Sequence, residues 1–442
     1  MERNRFLRLA IANIISNLMV PLAGIIDTAF LGHLSEIHYL AGVAIATVIF
    51  NMVYWSFGFL RMGTTGLIAQ AHGRGDERTV ARILLRNGLL AVVLGAGILL
   101  LQLPIREVGF WLLSAAPDVR LSGEAFYNAR IWGAPVVLLN YVLLGYFLGC
   151  GQGKRVVVLS LVGNGGNILL DYWFIRQLGW ASAGAGAATA LSQGGMAIVG
   201  LTYVLRDYTI PYFGQLSRHL WEGTAIWATI RLNRDILIRT FSLLVSFSLF
   251  TNWSSTFGTD ILAANTLLLQ VLTLAAYFID GIAFATESFA GQFYAVGNRT
   301  QLQALLRWGT GVSLCLGVGF AMVFVVFPSF FFGFMTQHEP VIVLVQGYVG
   351  WLIPTLGLGA IAFLLDGYFL GLTAGSALRN STIIATLLGF LPMGILAYTQ
   401  GSTHLLWLAM TLFMGGRAVT LGLRVPASLA QVPLRIPEKS VS

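Results

Sequence analysis

The chain has 442 residues, 57% of them hydrophobic and 10% charged, with a net charge of +8. A soluble domain carries about a quarter charged residues, and a single soluble core does not grow to hold this much apolar mass. With a mean hydropathy of +0.78, the composition excludes a soluble enzyme or nucleic-acid-binding domain and specifies an all-α polytopic membrane protein.

Twelve stretches reach the roughly 20 apolar residues that a spanning helix needs. They are predicted at 8–32, 39–70, 81–104, 123–149, 155–176, 181–205, 232–257, 260–294, 303–327, 341–371, 380–399 and 403–424. The N-terminus, MERNRFLRLAIANII, is charged and then apolar without a small-residue cleavage site, so helix one is expected to be retained. It holds Pro21 and the acid Asp27. Helix two holds Tyr54, Trp55 and Arg61, helix five Asn164, Asn167 and Asp171, and helix six Thr189. Helix seven holds Trp253 and is read as acid-free, helix eight holds Tyr277, Asp280 and Glu287, and helix ten holds Asp366. Cys150 and Cys315 both lie in apolar stretches and read as small buried hydrophobes. The segment 206–231 is the longest connection and reads as a cytoplasmic linker. It divides a lobe at 1–205 from a lobe at 232–442.

Lys and Arg set the orientation. With the N-terminus inside, 21 of the 26 basic residues fall in inner segments. Four fall outside (Arg106, Arg120, Arg130 and Arg176), and Arg61 lies within helix two. Both termini are therefore expected to be cytoplasmic, in the cell (inner) membrane.

The halves repeat. FGFLRMGTTGLIAQ (57–70) corresponds to IDGIAFATESFAGQ (279–292), and GYFLG at 145–149 recurs at 367–371, both at an offset of 222 residues. GDERTVARILLRNG (75–88) corresponds to GNRTQLQALLRWG (297–309) after a one-residue gap. Six helices per repeat is an even number, so the halves enter the membrane from one side. They form a parallel repeat about an axis along the membrane normal, which is a transporter architecture with a substrate site expected between the halves.

Ionisable side chains at membrane depth are costly and mark pathways or relays. At a rise of 1.5 Å per residue, Asp27 lies about 9 Å below the outer end of helix one and Asp171 about 8 Å below that of helix five. Asn167 shares the Asp171 face of helix five, and Thr189 falls about 12 Å into helix six. Two close carboxylates in low dielectric retain a proton or admit a cation, so this set reads as a site for H⁺ that would also accept Na⁺. Aligning Gly32 with Gly258 puts Trp253 opposite Asp27, which confines the site to the first half. Pro21 reads as a hinge in helix one. Arg61, Asp280, Glu287 and Asp366 fall in the inner half and read as an inner gate. Tyr54, Trp55, Trp253 and Tyr277 read, with Asp27, as substrate-cavity residues that suit flat lipophilic cations. No His/Asp/Glu metal spacing, HExxH or GxSxG motif is present, which argues against a membrane enzyme. No cofactor, metal or nucleic-acid partner is expected beyond the coupling ion and the lipid bilayer, and the expected state is a monomer.

DTAFLGHL (27–34), FLRMGTTGLIAQAHGRGD (59–76), NILLDYWF (167–174) and DGYFLG (366–371) resemble the multidrug and toxic compound extrusion (MATE) transporters, and among them the DinF-like branch. The resemblance covers essentially the whole chain. It implies two six-helix lobes worked by alternating access, with export of organic, often cationic compounds against inward H⁺ or Na⁺. It places the N-lobe ion site on Asp27, Asn167, Asp171 and Thr189, with the helix-one acid in proton coupling and substrate binding. The helix-seven glutamate used by the NorM-like branch has no match, which sets Na⁺ coupling through the C-lobe in doubt. The alternative within the superfamily is a flippase for lipid-linked precursors. Such proteins tend to have more basic cavities than an interior read as one arginine and five acids.

Overall fold

Backbone groups in a bilayer core must be satisfied within their own segment, so apolar runs of this length fold as helices. In the computed structural model the described residues are 3–34, 36–113, 116–208 and 223–433, with the side chains of 224–226 excepted. Among them are twelve helical spans. The first six are Arg3–Gly32, Ile37–Gly73, Glu77–Leu100, Pro117–Gly149, Gly153–Gln177 and Ala181–Asp207. The second six are Trp227–Thr256, Thr259–Ala295, Arg299–Val326, Glu339–Gly371, Gly375–Gln400 and Thr403–Ala430. Most of the predicted linker, 209–222, lies outside the described residues, as do Arg218, Arg435 and Lys439.

Several spans are interrupted where the sequence forbids a regular ladder. The second divides at Phe57 and Gly58 into helices Ile37–Ser56 and Phe59–Gly73, where one helix was predicted over 39–70. The fourth passes through a 3₁₀ turn at Ile131–Gly133, the tenth through one at Val349–Trp351, and the eleventh through a π turn at Ala385–Phe390. Pro135, Pro354 and Pro392 follow these turns, and each lacks the N–H that would continue the α ladder. The third span ends at Leu100 and a separate short helix, Gln102–Leu113, follows; the ninth is likewise followed by Pro328–Met335.

The chain divides into two compact units, one of Ile15–Ala228 and one of Met1–Ile14 with Thr229–Ser442. The chain passes between the units twice, at Ile14–Ile15 inside the first span and at Ala228–Thr229 within the segment 206–231. Each unit has its own apolar core. The first is built on Phe50, Tyr127, Tyr146 and Phe147, the second on Phe250, Phe332, Trp407 and Phe413. Large apolar side chains such as Leu100, Phe334 and Leu423 are exposed, as a lipid-facing surface requires. Cys150 is buried, whereas Cys315 is exposed, contrary to its reading as a buried residue.

The 222-residue repeat is visible in the packing inside each unit. A Cβ at Gly145 would lie 2.7 Å from the Arg61 carbonyl oxygen, and one at Gly367 would press on the Ala283 carbonyl. Only glycine lets the helix backbones approach so closely. Asp76 caps the third span through Thr79 N–H at 3.0 Å, and its counterpart Asn298 caps the ninth through Gln301 N–H at 3.1 Å. Tyr146 donates to Asp207 at 3.1 Å in one unit, while Tyr368 and Ser428 share a 2.9 Å hydroxyl–hydroxyl bond in the other.

Candidate functional site

The unit Ile15–Ala228 brings Asp27, Asn167, Asp171 and Thr189 together. The first and fifth spans meet at two levels. The Ser16 and Ser160 hydroxyls bond to each other, and eleven residues further along each span the Asp27 and Asp171 carboxyl groups come within interaction range of each other. The Phe30 and Tyr172 rings pack beside the acids, 6.3 Å between centroids. Equal spacing on both spans means that they run parallel and in register between the two levels. Pro21 lies in that interval of the first span, and the π turn Leu161–Gly165 in that of the fifth.

Asp171 is fully buried and Asp27 half-buried. Asn167 Nδ2 donates to Asp171 Oδ2 at 2.9 Å and lies 3.5 Å from Thr189 Oγ1, while Thr189 Oγ1 donates to the Ala185 carbonyl at 2.9 Å. One oxygen of each acid, Asp27 Oδ1 and Asp171 Oδ1, is buried without a hydrogen-bond partner among the described residues. Native interiors rarely leave such atoms idle, and these two open acceptors sit on adjacent acids. Among the described residues there is no group of three or more His, Cys, Asp or Glu side chains suited to a metal ion.

One residue of this site was not read from the sequence. Arg130, counted among the outer-loop residues, lies inside the fourth span. Its guanidinium sits 4.5 Å from the Phe50 ring centroid, 5.4 Å from Phe126 and 5.9 Å from Tyr54, and it interacts electrostatically with Asp27. Tyr54 is buried in this cluster with its hydroxyl unpartnered among the described residues. Trp55, expected with it at the cavity, is 55% exposed and points about 100° around the helix from Tyr54. Arg61 is half-buried lower in the second span and acts electrostatically on Tyr141.

The other unit holds the remaining candidates. Trp253 is stacked on Phe390 at 5.7 Å, with its ring edge filling the space beside Gly394. Tyr277 and Asp280 are half-buried and Glu287 is fully buried. Asp366, expected in the inner charged set, bonds through Oδ2 to both Arg239 and Arg417 of its own unit. All three are buried, Arg417 completely, and Asp280 adds an attractive field on Arg417. The interior therefore holds more arginine than the sequence reading allowed. Arg239 and Arg417 were counted as inner-segment residues but lie within the seventh and twelfth spans. The seventh span is also not acid-free. Asp235 is buried near its start and pairs with Arg379 at 2.8 Å and Arg234 at 3.0 Å. Its partners are basic neighbours at the span's end, which distinguishes it from the open-oxygen pair of the first half.

The family model MatE matches residues 12–173 and 236–395, once in each half. The chain is 34% identical to DNA damage-inducible protein F of Escherichia coli over 93% of this chain and 90% of that protein. It is 27% identical to the probable multidrug resistance protein NorM of Deinococcus radiodurans over 98% and 94% of the two chains. In structure it matches a multidrug resistance MATE family transporter of the MOP superfamily in an outward-facing conformation. That match has a TM-score of 0.86 and 20% identity, over 97% of this chain and 96% of the other. With the family model matched in both halves and the E. coli relative covered almost end to end, the chain belongs to the MATE family of multi-pass membrane transporters.

Proposed function

We propose that this transporter exports organic, lipophilic or cationic small molecules in exchange for protons, and that Asp27 and Asp171 hold the exchanged proton. The observation that carries the reading is the juxtaposition of the two carboxyl groups, each with one buried oxygen left without a partner among the described residues. Two carboxylates this close in a low-dielectric interior do not both stay ionised without a cation, so the pair retains a proton. When that proton leaves, two like charges face each other across the contact, and the first span must separate from the fifth or a cation must enter. Pro21 has no N–H to hold the helix straight at the intervening level, so the first span bends there while Ser16–Ser160 keeps its lower part in place. Substrate and proton then favour different positions of one helix, and that exclusion is the requirement for antiport.

The substrate class is supported by the relative named a probable multidrug resistance protein. The orientation, with both ends cytoplasmic in the cell membrane, rests on the Lys and Arg asymmetry, and the working unit is proposed to be a monomer. The test is transport by the purified protein in liposomes under H⁺ and Na⁺ gradients imposed separately. A pH gradient alone should drive export of a lipophilic cation. Export driven by Na⁺ alone would reverse the choice of ion while keeping the antiport reading.

A further inference from the structure

Three aromatic rings from two spans of the unit Ile15–Ala228 surround a cation. Phe50 and Tyr54 lie one turn apart on the second span, and Phe126 and Arg130 one turn apart on the fourth. The Arg130 guanidinium carbon is 4.5 Å from the Phe50 ring centroid, 5.4 Å from that of Phe126 and 5.9 Å from that of Tyr54. Ring faces stabilise a guanidinium only partly, and its N–H groups still require acceptors. Arg130 Nε is buried without a partner, and the guanidinium makes no hydrogen bond or ion pair with any described residue. Tyr54, 5% exposed, also keeps its hydroxyl unpartnered among the described residues. Arg130 is only half-buried, so the cluster is not sealed.

The scaffold does not need this cation. At the 222-residue offset, Leu272 and Ala276 of the eighth span stand where the second has Phe50 and Tyr54. The tenth span, counterpart of the fourth, contains no Lys or Arg. The second unit packs there with aliphatic side chains, Leu272, Val345 and Leu352 among its core. A charge at membrane depth that packing does not require marks a function. Both residues also lie beside interruptions. Tyr54 is three residues before the break at Phe57, and Arg130 is the last residue before the 3₁₀ turn Ile131–Gly133. Transporters build substrate sites where membrane helices are discontinuous.

We propose that Arg130, with the Tyr54 hydroxyl, is a site for an oxyanion on the transported compound, a carboxylate carried by a lipophilic organic molecule, so that the substrates include zwitterions. The guanidinium offers paired N–H donors in the geometry of a carboxylate, and the phenol offers a further O–H. The rings hold the guanidinium in place and keep water from its faces, which strengthens its hydrogen bonds to a ligand. A lipid headgroup phosphate would present the same oxyanion chemistry. The assignment to an exported compound rests on the exporter reading, and it is independent of the choice of coupling ion.

The test measures binding of two dyes to the full chain in phosphatidylcholine nanodiscs, with empty discs subtracted. Rhodamine B is a zwitterion with a free carboxylate, and its ethyl ester keeps the aromatic cation without the acid. The wild type should bind the acid more tightly than the ester, a comparison that needs no variant. Arg130→Gln should weaken binding of the acid about tenfold or more, as loss of a charge-assisted hydrogen bond does, and leave the ester unchanged. Arg130→Lys should recover part of that loss, and Tyr54→Phe should weaken the acid alone by a smaller factor. Arg130→Met replaces the Gln variant if that variant does not fold. Equal or weaker binding of the acid by the wild type, or equal losses for both dyes in the variant, would overturn the site. Loss of the preference on adding short-chain phosphatidylglycerol at the dye's concentration would assign it to a lipid headgroup and overturn the substrate role. Export of the ester from liposomes under a pH gradient checks the exporter reading separately. Export of the ester without preference for the acid defeats the Arg130 site alone, and a preference for the acid with export of neither dye defeats the exporter reading alone.

Discussion

Asp366→Asn removes the one carboxylate between two buried arginines while keeping the side chain's shape. In the native unit Asp366 Oδ2 accepts from both Arg239 and Arg417, and the three residues are 3%, 6% and 0% exposed. Each charge-assisted hydrogen bond contributes about 1.5–3 kcal/mol, and removing one partner of a buried ion pair costs about 3–5 kcal/mol because the opposite charge stays behind. Here two guanidinium groups stay behind, with Asp280 as remaining attraction on Arg417, so a loss near 5 kcal/mol is expected. Each kcal/mol lowers a melting midpoint by about 2–4 °C in a domain of this size, so thermal unfolding of the purified variant should begin at least roughly 10 °C below wild type. A variant that melts with the wild type would show that the two arginines find other compensation, and the cluster would no longer count as a clamp on the seventh, tenth and twelfth spans.

The two repeat-related caps give a matched pair of perturbations. Asp76→Ala and Asn298→Ala should each cost about 1 kcal/mol at neutral pH, measured by thermal unfolding. Only the first cap depends on acid. The hydrogen bond from Thr79 holds the Asp76 carboxyl below its ordinary value of 3.8, so its contribution is full above that value and fades as pH falls through the lowered one, whereas Asn298 carries no charge. Equal acid sensitivity in Asp76→Ala and wild type, under otherwise matched unfolding, would contradict this. Gly145→Val and Gly367→Val should each force apart helices in backbone contact and cost about 1–3 kcal/mol. Wild-type melting in either would mean that the close approach is not needed.

Much of the site was legible because depth along a helix is arithmetic. Counting back from the ends of the first and fifth predicted helices placed Asp27 level with Asp171, and the i, i+4 rule put Asn167 on the same face. The same count was available for Arg130. It lies seven residues into the predicted helix 123–149, about 10 Å from its start, yet it was assigned by charge to an outer loop. Arg239 and Arg417 were assigned by charge in the same way. A positive-inside count takes basic residues as loop markers and cannot recognise one that a buried acid retains inside. The acid-free reading of the seventh span failed at Asp235, which sits near the end of the span away from the level of Asp27 and is held there by Arg379 and Arg234. The breaks at Ile131–Gly133 and Val349–Trp351 were signalled by proline. The π turn at Leu161–Gly165 has no such signal in the sequence.

The central claim is that Asp27 carries the coupling proton. Its most direct test is export of a lipophilic cation from proteoliposomes under a pH gradient without Na⁺, comparing the wild type with Asp27→Asn at equal reconstituted amounts. The account predicts proton-driven export by the wild type and its loss in a variant that inserts and folds normally. Undiminished proton-driven export by Asp27→Asn would contradict it.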